Sequence, residues 1–146
     1  MTENDCNRLQ EDLEEMHKWT EKWLLNFHPG KCKSMRIRRS DINEHNYKMI
    51  QELSKCTKEK DIGVIIDNKL TFSDHLAEKV NKANRLVGMM RRTSVSLDCN
   101  MFKSLYTSLV RPHLEYANQV WNPHLVKDIE AMERVRKRAT KMLPGM

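Results

Sequence analysis

Apolar residues recur along this chain with two periods, and the change of period divides it. Leu9, Leu13, Met16, Trp19, Trp23 and Phe27 follow one another at spacings of three and four, which predicts an amphipathic helix. Acidic residues (Glu11, Asp12, Glu14, Glu15) crowd its first half and Lys18 and Lys22 its second, as the helix dipole favours. Pro29-Gly30 is expected to stop it. A period of two follows. Met35 and Ile37 share one face of residues 33–37, and Tyr47, Met49 and Leu53 one face of residues 47–53; the polar segment 39–46 would join these two strands as a hairpin loop. The β-branched run Asp61–Asp67 is the strongest strand signal, and Gly63 within it suggests a bulge or the close approach of another backbone.

From Ser73 onward the period is helical. Ser73 is placed to cap a helix with the stripe Leu76, Val80, Ala83, Val87 and Met90. Asp98 can cap a second, carrying Met101, Phe102, Leu105, Tyr106 and Leu109. Pro112 suits the first turn of a third, with Leu114, Ala117 and Trp121 in line and Pro123 closing it. A last helix puts Ile129, Met132, Val135, Ala139 and Met142 inward, ended by Pro144-Gly145. The expected class is α+β: an N-terminal helix with a small antiparallel sheet over residues 1–70, then a mostly helical bundle over 71–146.

Composition narrows the function. The 146 residues are 32% charged with a mean hydropathy of −0.74, yet three Trp, three Tyr, three Phe and ten Met suffice for a core. No apolar run approaches the roughly 18 residues a membrane span needs, and the first thirty residues lack a signal-peptide pattern. An intracellular protein, nuclear or cytoplasmic, is expected, with no membrane partner. Cys6, Cys32, Cys56 and Cys99 include no close pair, which implies reduced thiols and no zinc knuckle. The histidines make no metal motif, and His113 and His124 with Cys99 are too scattered to predict one. Net charge is +6, unevenly spread: residues 1–78 hold 13 basic and 15 acidic residues, and residues 79–146 hold 13 basic and five acidic. A basic C-terminal half suits a polyanionic partner, or merely a solvated face.

Catalytic patterns are absent from the sequence: no nucleophile elbow, no phosphate loop, no glycine-rich dinucleotide turn. The acidic pairs Asp12/Glu15 and Glu130/Glu133 read as solvated helix faces. From its residues alone, this is a binding or structural module.

A collinear series of motifs is more specific. Leu9-Gln10-Glu11-Asp12-Leu13, Trp19 with Trp23, Phe27-His28-Pro29-Gly30-Lys31-Cys32-Lys33, Lys60-Asp61-Ile62-Gly63-Val64, Leu70-Thr71-Phe72 with His75, Lys82-Ala83-Asn84-Arg85, Val110-Arg111-Pro112-His113-Leu114-Glu115-Tyr116 and Val120-Trp121-Asn122-Pro123 occur in this order. Together with Ile129-Glu130 through Arg138-Ala139, they resemble the C-terminal palm and thumb of the reverse transcriptases of non-LTR (LINE-type, jockey/CR1-like) retrotransposons.

The resemblance implies roles. Lys31 matches the lysine proposed to protonate the leaving pyrophosphate. Asp61, Ile62, Gly63 and Val64 match the primer grip. The helices from Ser73 match the thumb, whose Lys79, Lys82, Arg85, Arg91, Arg92, Arg134, Arg136, Lys137, Arg138 and Lys141 would hold the phosphates of an RNA/DNA template–primer without regard to sequence. The complete family enzyme uses magnesium, but its aspartate pair falls before the residues matched here. This chain is therefore expected to hold no cofactor and to be inactive as a polymerase alone, its lysine general acid being only ancestral. Arg38 and Arg39 stand where the family often has glycine after the lysine-bearing strand. Trp19, Trp23 and Trp121 are expected as core anchors, unless loss of the palm leaves the first helix exposed and able to self-associate. A helical protein–protein module and a relic without function are the other two readings.

Overall fold

The computed structural model describes residues 3–37, 45–93 and 98–143. Arg38, Arg39, Pro144, Gly145 and most of the segment 39–46 lie outside them. The fold is α+β. The chain divides into two compact units, the first comprising Met1–Glu59 with Asp67–Leu70, the second Lys60–Ile66 with Thr71–Met146.

In the first unit, α1 (Glu3–Lys22) ends before Pro29-Gly30 is reached. Leu24 takes φ 56°, the Leu25 amide donates to the Thr20 carbonyl (2.9 Å) and the Leu24 amide to Glu21 (3.3 Å). This is the paired closure of a Schellman cap, with leucine where glycine is usual. Of the expected stripe, Leu13 and Phe27 are half-buried, whereas Trp19 and Trp23 remain 53% and 59% exposed. These two tryptophans are not core anchors. Thr20 is the fully buried residue of α1.

The strand expectations need correction. Strand β1 (Lys33–Met35) pairs with β2 (Ser54–Cys56) in parallel, with Lys33 opposite Ser54 and Met35 opposite Cys56, and not in an antiparallel hairpin. The long connection makes this possible, since parallel strands need a crossover. Residues 47–53 form no strand but a tight loop with one isolated bridge, Lys48 to Glu52. The reason is Gln10, whose side-chain amide donates to the Lys48 carbonyl (2.9 Å) and accepts from its N–H (2.9 Å), occupying both backbone groups a ladder would use.

The run Asp61–Asp67 is likewise not one strand. It is split by a two-residue turn into β3 (Lys58–Asp61) and β4 (Val64–Asp67). Ile62 (φ 42°) and Gly63 (φ 79°) supply the left-handed pair that a tight hairpin requires. Gly63 thus marks a turn and not a bulge. What comes close to it is the Tyr116 ring, 3.4 Å from where a Cβ would stand.

The hairpin's tip folds with the second unit, which contains the core. Helix α2 (Ser73–Thr93) buries Leu76, Ala83, Val87 and Met90 as its spacing predicts. Asp98 caps α3 (Cys99–Leu105), its carboxylate accepting from the Met101 amide at 2.6 Å. Before Pro112 the chain does not break. It widens into a π turn over Tyr106–Val110 and resumes as α4 (Arg111–Glu115). The missing N–H of Pro112 frees carbonyls of that turn from helical bonding, and a π turn accommodates the gap. The expected third helix is interrupted at Ala117 (φ 55°), giving α5 (Asn118–Trp121). Helix α6 (Val126–Thr140) buries Met132, Val135 and Ala139, but Ile129, expected inward, is 44% exposed. Ala83 and Ala139, both fully buried, have the small side chains that let α2 and α6 pack closely. Trp121 is 1% exposed, its indole N–H donating to the Tyr116 carbonyl (2.7 Å).

Candidate nucleic-acid interface

The basic residues of α2, α4 and α6 are spread over several distinct surfaces. On α6 and its C-cap, Arg134, Arg138 and Lys141 follow at spacings of four and three, and Lys127 stands seven before Arg134, so the four share one exposed stripe. Arg138 Nη1 donates to Asn84 Oδ1 (3.4 Å), which sets this stripe beside α2. Arg91, seven residues beyond Asn84, lies on that same flank of α2. Arg134, Lys137 and Lys141 are exposed and have no ion-pair partner among the described residues.

Arg136 does not join them. It lies on the other side of α6, where its guanidinium binds Glu133 (2.8 Å) and reaches the Tyr106 hydroxyl. It lines a cleft of about 500 Å³ with Arg111, which Glu115 holds through both carboxylate oxygens at 2.8 Å. Two arginines offset by two glutamates make that cleft charge-balanced, a poor seat for a polyanion. Arg85 and Arg92, seven apart, point outward from α2. Lys79 and Lys82 occupy the flank of α2 toward α4; Lys79 keeps only 13% of its side chain exposed and lies 3.8 Å from Glu78.

The hairpin tip, with Asp61, Ile62, Gly63 and Val64, is held within the second unit by three bonds. The Tyr116 hydroxyl donates to the Ile62 carbonyl (2.9 Å), Lys60 pairs with Glu78 (3.2 Å), and the Ile65 amide donates to His75 Nδ1 (3.2 Å). His75 is fully buried against Trp121, with ring centroids 5.3 Å apart, and its Nε2 has no hydrogen-bond partner. Accepting at Nδ1 keeps the ring neutral. Burial, then the nearby Lys79 charge, holds its pKa below the ordinary histidine range.

Because the unfolded ring binds a proton more readily than the folded one, stability falls as pH drops below about 6.5, and above that value His75 contributes no pH dependence. The expected result is that exchange protection of the Ile65 amide and the His75 imidazole resonance change together below that pH. Protection that persists once the ring is protonated would contradict the assignment.

Lys31 sits in the exposed 3-10 turn Pro29–Lys31, just before β1 and not on it. Among the described residues no group of three or more His, Cys, Asp or Glu side chains could hold a metal ion. The described residues do not fit a magnesium site. Sequence reasoning missed Lys127 as a member of the α6 stripe and His113 as a neighbour of Lys82 and Lys79. The seven-residue spacing of Lys127, Arg134 and Lys141 was the available signal for the first.

Among curated proteins, the chain is similar to the "RNA-directed DNA polymerase from mobile element jockey" of Drosophila funebris, at 31% identity over 134 residues. The match takes in 83% of this chain and 14% of that relative, so the chain corresponds to a small part of the longer protein. No family model matches the chain. No solved structure matches it.

Proposed function

This chain is related to the RNA-directed DNA polymerases of non-LTR retrotransposons, and from that premise we propose that its second unit is a thumb-like lobe that binds a template–primer duplex by its phosphates. The observation that carries the reading is the α6 stripe of Lys127, Arg134, Arg138 and Lys141, beside Arg91 of α2, most of it free of acidic partners. Unpaired cations on rigid helices neutralise phosphates and release counterions without reading bases. The hairpin tip at Asp61–Val64 is assigned to the primer's 3′ end, with Tyr116 and His75 fixing its position. In this reading Lys31, exposed in its turn, takes no catalytic part. The test is a salt titration of binding to a labelled RNA–DNA hybrid, with affinity expected to fall steeply as salt rises. Affinity indifferent to salt would refute phosphate-led binding.

One observation favours a second reading for the first unit. Along α1, Leu9, Met16, Trp19 and Trp23 present an exposed apolar flank, and the helix is acidic at its start and basic at its end. A second copy packed along the helix would cover that apolar flank. Self-association in sedimentation, insensitive to salt and abolished by Trp23→Ala, is the expected sign; a monomer at all concentrations would dismiss this reading.

A further inference from the structure

We propose that Lys79, Lys82 and His113 form a phosphate-binding subsite on the flank where α2 packs on α4, separate from the α6 stripe, and that it takes a phosphodiester of the bound nucleic acid. The inference rests on the reading of the second unit as a nucleic-acid binder. Its geometry comes from two helices. Asn84 marks the flank of α2 that meets α6, so Lys79 and Lys82, on the opposite side by helical phase, lie on the flank left for α4, where His113 immediately precedes Leu114, which is 2% exposed. Lys79, three residues before Lys82, lies on the same flank with its stem buried.

The charges at this flank do not balance. Glu78 is shared between Lys60 (3.2 Å) and Lys79 (3.8 Å), so a single carboxylate serves two ammonium groups. Lys82 and His113 have neither an ion-pair nor a hydrogen-bond partner among the described residues. On its own helix His113 meets no free charge, because Arg111 and Glu115 bind each other at 2.8 Å. Donors without acceptors, fixed on rigid elements, are what an incoming anion would satisfy.

The imidazole supplies a further property. Burial, then Lys82 and Lys79, lowers the His113 pKa, which favours the neutral ring in the free protein at neutral pH. A phosphodiester seated among these groups offsets both ammonium charges and favours the protonated ring, which becomes a third cation. Binding at this subsite therefore takes up a proton, and affinity rises as pH falls through the His113 titration.

The experiment follows the His113 imidazole by NMR across pH, with and without a short RNA–DNA hybrid, and with inorganic phosphate as a second arm. Saturating hybrid is expected to raise its midpoint. Lys82→Ala should abolish the rise and make the salt slope of binding shallower by about one. Arg134→Ala with Arg138→Ala and Lys141→Ala should leave the rise in place once the hybrid is saturating. His113→Gln should bind the hybrid equally at pH about 7.5 and about 6, where the parent chain tightens. A midpoint unmoved by bound hybrid overturns the subsite and leaves the general reading standing, as does a response to free phosphate alone. Absence of any binding removes both.

Discussion

Replacing Trp121 with alanine is expected to lower the unfolding free energy of the second unit by about 3–5 kcal/mol, the range for removing a large aromatic from a packed core. The indole is 1% exposed, stacks at a tilt on His75 and donates to the Tyr116 carbonyl. Its removal leaves a cavity and an unpaired carbonyl together. Small domains are stable by only about 5–15 kcal/mol, so this loss is a large share of the total. The effect should also spread to the hairpin, since Tyr116 and His75, which Trp121 supports, are the residues that hold Ile62 and Ile65. Thermal unfolding gives the stability change, and exchange at the Ile65 amide reports the hairpin. A loss below about 1 kcal/mol would mean that the site collapses to fill the space, and that Trp121 is no keystone.

The second large effect is on binding. The combined Arg134→Ala, Arg138→Ala and Lys141→Ala variant removes three neighbouring cations from one stripe of α6. Each neutralised phosphate contributes about 0.9 to the slope of log affinity against log salt, so the slope should become shallower by about three. Between about 50 and about 200 mM salt the parent chain should then lose roughly forty times more affinity than the variant. Arg136→Ala is the internal control. It should leave the slope near that of the parent, because Glu133 and Tyr106 already engage that guanidinium. Equal slopes for parent and triple variant, or a large change with Arg136→Ala, would place the contact surface elsewhere.

Much of the second unit was legible from residue spacing alone. The α2 stripe from Leu76 to Met90 and the Asp98 cap depend on contacts within a few residues, and local periodicity reports those faithfully. What misled were features decided at a distance. Tyr47, Met49 and Leu53 alternate like a strand, but Gln10, far off in sequence, takes the backbone groups of Lys48. Likewise the parallel partnership of Lys33–Met35 with Ser54–Cys56 has no local signature. The breaks at Leu24 and Ala117 place non-glycine residues at positive φ, where no glycine signals the turn. Of the candidate interface, the basic α6 residues were visible as a run. Their division into a free stripe and the paired Arg136 needed the side-chain geometry. The exposure of Trp19 and Trp23 was foreseen only as the alternative to core anchoring.

The π turn at Tyr106–Val110 decides which residue of the next helix looks inward. In an uninterrupted α-helix each residue advances by about 100°, so Leu114 would sit about 120° out of step with Phe102, and His113 only about 20°. Histidine would then be driven into the apolar interior and leucine pushed toward water. The wide turn absorbs one extra residue and resets the phase, so Leu114 joins Phe102 below the surface and His113 is delivered to the rim. A single surplus residue, seated where proline had already spoiled the ladder, thus sets the orientation of an entire helical face.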